Sequence, residues 1–313
     1  MPGGVLVLDK ARGPTSHDVV ARVRRTLGTR QVGHAGTLDP MATGVLIVAV
    51  GEATKLVPWL AAQDKSYEAT IALGTETDTL DAEGRPTRSA PPSEALVGAL
   101  ERSRTGDLDP LLEAALQAER TRILQVPPAF SAIRQDGVRA HVRARRGEHV
   151  ELAPRPTHVA RLELIACRVA PPDVSLVLDV DKGYYVRSLA RDLAERLGTV
   201  GHLTALRRTR SGRFTIDEAT SIEADLEGRL IPLVQAASRA LPVARLTEQG
   251  ARDASCGRLV RPCDLTDVGP EPSAWLDPEG RLVAVGQRQD DGTARVLRGF
   301  GVQGLDVSTS RRG

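Results

Sequence analysis

The stretch GHAGTLDPMATG, Gly33 to Gly44, places one aspartate, Asp39, among small and apolar residues. From Gln31 to Gly51 it is the only formally charged residue, although 26% of the chain is charged. Two interpretations compete: an aspartate that shapes a turn, and a catalytic carboxylate kept apart from other charges. Pro40 biases Asp39 toward an extended backbone, and the glycines let the loop bend and let another molecule approach it. The pattern is typical of a presented carboxylate.

Composition limits the classes of protein to consider. A chain of 313 residues predicts about two domains. Its hydrophobic content of 41% is enough for globular folding, and no apolar run is long enough to cross a bilayer. No signal peptide is visible, and the scattered cysteines Cys167, Cys256 and Cys263 fit reduced thiols and argue against a zinc site. We therefore expect a cytoplasmic protein without a membrane partner.

The distribution of charge says more than the net charge of +2. One basic segment, residues 120–147, contains seven arginines: Arg120, Arg122, Arg134, Arg139, Arg143, Arg145 and Arg146. A second cluster consists of Arg207, Arg208, Arg210 and Arg213. Such patches can neutralise phosphates, although a solvated helix face is an equal alternative. Only four of the 42 basic residues are lysines: Lys10, Lys55, Lys65 and Lys182. This scarcity indicates that these positions favour a compact ammonium over a planar guanidinium.

Hydrophobic periodicity predicts interleaved strands and helices. Strands are expected at 4–9, 44–50, 66–74, 158–169, 174–186 and 202–214. Helices are expected at 15–28, with Thr15 or Ser16 as the cap, and at 51–60, 93–103, 109–120 and 186–198. No strict βαβ rhythm is present, so a mixed α+β sheet is predicted rather than a doubly wound one. Beyond about residue 240, three short strands separated by DPEG and DDGT turns predict a small β-rich unit.

Several kinds of site are excluded by their missing patterns. No His, Asp and Glu set with ligand spacing surrounds Asp39, and the acids Glu76, Asp78, Asp81 and Glu83 do not match an EF-hand loop. The chain also lacks a P-loop, a dinucleotide-binding glycine motif after a strand and a nucleophile elbow. The sequence therefore predicts no metal site.

An ordered set of motifs carries a family resemblance. In sequence order these are GVLVLDK, TSHDVV, GHAGTLDPMATGVLIVAVGEATK, DKSY, VPPAFSAIRQDG, DKGYYVRSLARDLAERLG and HLTALRRTRSGRF. From about residue 4 to 235 they resemble the TruB family of tRNA pseudouridine synthases, and the C-terminal unit is similar to that family's PUA RNA-binding domain. The resemblance implies a pseudouridine synthase fold with a mixed, largely antiparallel sheet. It implies a catalytic domain at 1–240 with an RNA-clamping insertion at about 93–150, and a PUA-like domain at 241–305. From its own composition, the tail at 306–313 is expected to be disordered.

The resemblance also implies roles for individual residues. Asp39 matches the catalytic aspartate, Tyr67 the tyrosine that stacks on the target base, and Arg187 the arginine that pairs with the aspartate. The substrate-binding residues implied are Lys10, His34, Tyr185 and Leu206, with Arg143, Arg145 and Arg146 in the RNA-clamping insertion. This chain departs from the family pattern at Ala11, Phe130, His141 and Tyr184, where proline, tyrosine, another aromatic and threonine are usual. Residues 103–120 are expected to form a helical surface insertion.

The implied activity is isomerisation of the uridine at position 55, in the T-loop of tRNA, to pseudouridine. The target must leave its stack, and a carboxylate nucleophile can attack either C1′ or C6; elimination to a glycal is a third route. Either Asp39 or Tyr67 is a candidate to remove the C5 proton. Nothing is oxidised and no group is lost, so no cofactor is expected. The expected partner is the T-arm of tRNA, with a monomeric enzyme and no obligate protein partner. A guide-RNA-dependent relative and a tRNA-folding chaperone are the alternatives.

Overall fold

A computed structural model describes residues 3–135, 137–267 and 269–301. The predicted tail at 306–313 lies outside these residues. The strands run β1 Gly4–Lys10, β2 Val32–Ala35, β3 Thr43–Val50, β4 Lys65–Leu73, β5 Thr75–Thr77, β6 Pro86–Ser89, β7 Leu124–Gln125, β8 Arg134–Gln135, β9 Val138–Arg139, β10 Arg155–Pro156, β11 Val159–Val169, β12 Pro172–Val180, β13 Gly201–Ser211, β14 Phe214–Thr215, β15 Ile231–Pro232, β16 Val243–Leu246, β17 Leu265–Thr266, β18 Ser273–Leu276, β19 Leu282–Arg288 and β20 Ala294–Gly299.

The α-helices are α1 Ser16–Thr26, α2 Val57–Ala61, α3 Glu94–Thr105, α4 Pro110–Arg120, α5 Ala140–Arg145, α6 Val186–Arg196, α7 Leu233–Ala240 and α8 Glu248–Ser255. Short 3₁₀ helices cover Gly51–Leu56, Ile216–Glu218 and Pro262–Asp264. Among the described residues, no helix combines the length and the apolar character that crossing a membrane requires.

One large sheet organises the N-terminal part of the chain. Its nine strands follow the order β11-β12-β4-β13-β3-β1-β15, with β14 added to β13 and β2 added to β3. The pair β13–β3 is parallel, and the other strand pairs of this sheet are antiparallel. The prediction of a mixed, largely antiparallel α+β sheet is confirmed. Gly44 permits the parallel pairing, because a Cβ there would lie 2.2 Å from Arg208 O.

Helix α1 packs Val19, Val20 and Val23 into the main core. Thr15 caps α1, and it forms a capping box with Asp18. The predicted strand at 174–186 is shorter, since β12 ends at Val180 and a turn leads into α6. The segment 103–120 does not lie only on the surface, because Leu112 and Leu116 of α4 join the main core. Most of this segment is helical, and its being an insertion stays a prediction.

A second sheet, of order β17-β16-β18-β19-β20, follows α7. Its core is built on Trp275, which is fully buried. Gly286 faces that ring, where a Cβ would come within 2.2 Å of the indole. The two sheets are joined through the 3₁₀ segment after β3: Lys55 Nζ donates to Gly299 O at 3.1 Å, and Glu52 accepts from Gly301 N at 3.1 Å.

Candidate active site

Asp39 lies in the loop that joins β2 to β3, residues 36–42, called here the Asp39 loop. Leu38 and Ala42 anchor it in the core, whereas the Asp39 side chain remains 35% exposed. Ser16 of α1 clamps the loop, because its Oγ accepts from Leu38 N at 2.9 Å and donates to Leu38 O at 3.1 Å. The fold thus presents this carboxylate from a loop whose flanks are fixed.

Lys10, at the end of β1, supports the same loop from beneath. Its Nζ donates to Ala42 O at 2.7 Å, to Pro40 O at 3.2 Å and to Ala11 O at 3.0 Å. An ammonium has three donors, and here three carbonyls occupy them. The side chain is 2% exposed, and burial lowers the pKa of its amine. In this structure the Lys10 ammonium is bound to carbonyls of the Asp39 loop and of Ala11, and its predicted substrate contact stays a prediction.

Arg187 brings three segments together. It stands in the first turn of α6 and is 8% exposed. Its Nε lies 2.9 Å from Asp39 Oδ2, while Nη1 donates to Thr79 O and Nη2 to Phe130 O, both at 3.0 Å. A rigid planar fork suits such a set of acceptors better than an ammonium would. The guanidinium is thus locked in place before it meets Asp39.

Asp81 is a site residue that the sequence did not single out. It is 4% exposed, and its Oδ2 lies 3.7 Å from Arg187 Nε. Its Oδ1 accepts from Thr79 Oγ1 at 2.6 Å and from Glu83 N at 3.0 Å. Burial, followed by the nearby Asp81 and Asp39 carboxylates, raises the pKa of Glu83. Two carboxylates, those of Asp39 and Asp81, therefore lie within 4 Å of one guanidinium, and the sequence signal for Asp81 was a turn rich in acids.

Gln125 connects the insertion to the start of α6. The side chain is buried, and its amide both donates a hydrogen bond to the Tyr185 backbone and accepts one from it. Gln125 Nε2 donates to Tyr185 O at 3.1 Å, and Tyr185 N donates to Gln125 Oε1 at 2.9 Å. Val126 O accepts from Ser188 Oγ at 2.8 Å and from Arg191 Nη2 at 3.1 Å. These bonds fix the segment that carries the Phe130 carbonyl against the helix that carries Arg187.

The apolar and aromatic residues implied by the resemblance line neighbouring strands. Tyr67 is 7% exposed in β4 and sits opposite Arg208 of β13. Leu206 of β13 is buried and pairs with Ala69. Tyr185 precedes α6 and is half-buried; burial is the main cause that raises the pKa of its phenol. In this structure Tyr67 also belongs to the main core, so its predicted stacking role stays a prediction.

His34 occupies β2, one strand before the Asp39 loop. Its ring meets the ring of His17 edge to face, with centroids 5.1 Å apart. Burial, followed by His17 and Arg208, lowers the pKa of His34, which favours a neutral imidazole at pH 7. Its Nδ1 is buried and has no hydrogen-bond partner among the described residues.

Two of the predicted insertion arginines, Arg143 and Arg146, form ion pairs with Glu148. Arg143 Nε lies 2.7 Å from Glu148 Oε2, and Arg146 Nη1 lies 3.9 Å from Glu148 Oε1. Arg145 and Arg146 are exposed. The structure thus assembles Asp39, Arg187 and the Lys10 support, and leaves the three insertion arginines as a separate, accessible set.

Two other kinds of site have to be compared with the Asp39–Arg187 pair: a cavity and a group of metal ligands. A cavity of about 590 Å³ lies between the β5–β6 hairpin and the insertion, and Asp78, Leu80 and Pro127 help to line it. Neither Asp39 nor Arg187 lines this cavity. Within the residues that the structure describes, no group of three or more His, Cys, Asp or Glu side chains is arranged to hold a metal ion.

Comparison with known proteins identifies the family of the chain. Residues 24–186 match the model of the TruB family pseudouridylate synthase N-terminal domain, and residues 187–231 match that of the tRNA pseudouridylate synthase B C-terminal domain. The tRNA pseudouridine synthase B of Corynebacterium diphtheriae is 42% identical and covers 94% of this chain and 95% of its own. The protein of the same name from Thermobifida fusca is 44% identical and covers 95% of this chain and 98% of its own.

Solved structures share the fold at lower identity. A Cbf5–Nop10–Gar1 complex contains a chain with a TM-score of 0.69 and 23% identity, covering 96% of this chain and 84% of that chain. An H/ACA RNP bound to a substrate RNA containing 2′-deoxyuridine gives a TM-score of 0.67 at 22% identity, over 96% of this chain and 86% of that chain. At such identities the likeness concerns the fold alone. From the family models and the near full-length relatives, the chain belongs to the TruB family of pseudouridylate synthases.

Proposed function

We propose that the protein isomerises a uridine of tRNA to pseudouridine, and that the target is the T-loop uridine at position 55. The observation that carries this proposal is the Asp39 carboxylate, 35% exposed and held 2.9 Å from Arg187 Nε. Relatives named tRNA pseudouridine synthase B support the choice of tRNA.

Arg187 and Asp39 have different parts in the exchange. Arg187 binds Asp39 Oδ2 through its Nε at 2.9 Å and holds the carboxylate in one orientation. Asp39 Oδ1 accepts no hydrogen bond from the described residues and is the oxygen placed to react. The N1–C1′ bond breaks and a C5–C1′ bond forms; C5 loses its proton and N1 gains one. Attack at C1′, attack at C6 and elimination to a glycal all satisfy this balance.

Binding is assigned to two further regions. We infer that the insertion arginines Arg143, Arg145 and Arg146 contact phosphates, because they lie on a short helix beside exposed surface. The β-rich unit at 241–305 is the proposed PUA-like RNA-binding domain. A monomer acting without guide RNA or an obligate partner is favoured by α3 to α5, the insertion that guide-dependent relatives are expected to lack.

The test is incubation of the purified protein with an unmodified tRNA transcript, followed by mapping of pseudouridine. We expect one modified position, in the T-loop, without added guide RNA, protein or cofactor. Asp39→Asn is the matched control, because it keeps the shape and removes the nucleophilic charge. It should abolish turnover while tRNA affinity stays within about threefold. Turnover of Asp39→Asn within about tenfold of wild type contradicts the assignment, and tRNA refolding without any pseudouridine supports the chaperone alternative instead.

A further inference from the structure

Arg208, in the middle of β13, is fully buried. From the sequence it belonged to a basic cluster able to neutralise phosphates, yet no phosphate can reach it in this fold. Within the described residues no carboxylate forms an ion pair with it. A buried charge without compensation is costly, so its hydrogen bonds must explain why it is there.

The guanidinium spans the two sides of the Asp39 loop. Its Nε donates to Val45 O at 2.7 Å and its Nη2 donates to Gly36 O at 2.9 Å, while Nη1 makes a longer contact, 3.5 Å, with Thr37 O. Gly36 precedes Asp39 by three residues and Val45 follows it by six. One rigid plane therefore sets the distance between the start of the loop and the strand that follows it.

Two lysine side chains lie close to the Arg208 guanidinium. Lys10 holds the Pro40 and Ala42 carbonyls, and Lys65 Cε would lie 3.4 Å from a Cβ placed on Gly36. The Arg208 charge opposes both ammonium groups, and it adds to the burial that lowers the pKa of Lys65 to about 8. Because Arg208 repels the ammonium groups of Lys10 and Lys65, the geometry of its hydrogen bonds explains its presence better than its charge does.

We propose that Arg208 is a positioning residue for the isomerisation, which holds the Asp39 loop in its reactive place by binding carbonyls on both sides of Asp39. This inference rests on the proposed function, since it assigns Arg208 a part in the same reaction. It differs from a phosphate contact, which would act on affinity, and from a general stabilising role, which would act equally on all steps.

The test replaces three arginines of β13, one at a time, by lysine. Arg208→Lys keeps the charge but replaces the planar fork by a single nitrogen that cannot reach carbonyls on both sides. Arg210→Lys is the matched control, because Arg210 lies on β13 and donates to Ser66 Oγ and Gly212 O, outside the Asp39 loop. Arg207→Lys, which removes a fork from Asp9, is the second control.

For each variant, the single-turnover rate on tRNA, the tRNA affinity and the amide hydrogen exchange of Leu38 and Ala42 are measured. Displacement of a reacting group by about 1 Å can cost on the order of 100-fold in rate. We expect such a loss for Arg208→Lys, with affinity within threefold of wild type and at least tenfold faster exchange of the loop amides. The two controls should remain within about threefold in the single-turnover rate at saturating enzyme and in the exchange of the loop amides.

Other results overturn the inference. A rate for Arg208→Lys within threefold of wild type does so, as does a loss that appears in affinity alone or equally in Arg210→Lys. If Arg208→Lys does not fold, hydrogen exchange at Arg208 Nε is measured in the wild-type protein instead. Exchange at the rate of the Ala42 amide supports the inference, because the guanidinium and the Asp39 loop then open together. Exchange as fast as that at Arg210 Nε refutes it. Absence of pseudouridine with wild-type protein refutes the proposed function instead, and the exchange data are unaffected.

Discussion

Arg187→Lys separates the charge of Arg187 from its geometry. A lysine ammonium can stay near Asp39, but it cannot also reach the Thr79 and Phe130 carbonyls, which accept from opposite nitrogens of the guanidinium at 3.0 Å each. The substitution therefore tests whether a locked guanidinium, and not merely a positive charge, prepares Asp39 for reaction.

The size of the effect follows from those two bonds. Each buried carbonyl left without a donor costs about 1–3 kcal/mol, so the loss of both bonds should lower the free energy of unfolding by roughly 2–6 kcal/mol. At roughly 2–4 °C for each kcal/mol, the melting temperature should fall by roughly 4–24 °C. The rate of the chemical step should fall on the order of 100-fold, because Asp39 loses its fixed partner. Affinity for tRNA should change little, since Arg187 is only 8% exposed.

The assay is a single-turnover measurement of hydrogen loss from C5 of uridine in tRNA, made well below the melting temperature of the variant. Arg191→Lys is the matched control, because Arg191 lies one turn along α6 and its Nη2 also donates to a carbonyl of the insertion, Val126 O, at 3.1 Å. It should share part of the stability loss and little of the rate loss. A rate for Arg187→Lys equal to that of Arg191→Lys would refute a specific role of the guanidinium plane.

Three further predictions concern other residues. Tyr67→Phe should bind tRNA normally but turn over slowly if the hydroxyl moves the C5 proton, and Tyr67→Leu should be inactive though folded. A near wild-type rate for Tyr67→Phe would remove the proton-transfer role, and a collapse of the melting temperature in Tyr67→Leu would mean that Tyr67 serves the core alone. Replacing Arg143, Arg145 and Arg146 together should lower the slope of log affinity against log salt by roughly 0.7–0.9 for each phosphate that the protein no longer neutralises; an unchanged slope would mark a solvated face. Because the pKa of Lys65 is lowered to about 8 in the folded protein, the unfolded chain binds more protons between pH 8 and 10.5, and the free energy of unfolding should rise with pH there by about 3 kcal/mol; denaturant titrations should show that rise vanish in Lys65→Met.

Local patterns predicted the elements whose burial is regular. Helix α1 and strand β4 have simple apolar periodicity, so their positions were found within a residue or two. The presented aspartate was visible because its loop contains no other charge. The fold class followed from the order of such elements, which is a property of the sequence itself.

The inward direction of Arg208 was hidden for a physical reason. Strand β13 pairs with β4 through two irregularities, between Leu203 and Ala205 and between Arg208 and Arg210. Each such β-bulge adds a residue to one strand and reverses the alternation of faces. Counting by twos along a run of arginines therefore could not tell a buried cation from a solvated one. Asp81 was hidden differently, because its partner Arg187 lies far away along the chain.

The isolation of Asp39 in its own segment has an explanation in these distant partners. The cations that serve the loop come from β1, α6 and β13: Lys10 and Arg208 bind its carbonyls from beneath, and Arg187 binds the carboxylate itself. A backbone that turns its carbonyls toward buried cations needs small or apolar side chains, because a further acid there would compete for the same donors. The charge-free sequence around Asp39 is thus what lets Arg208, Lys10 and Arg187 each keep a single place, and it leaves one carboxylate oxygen available for the substrate.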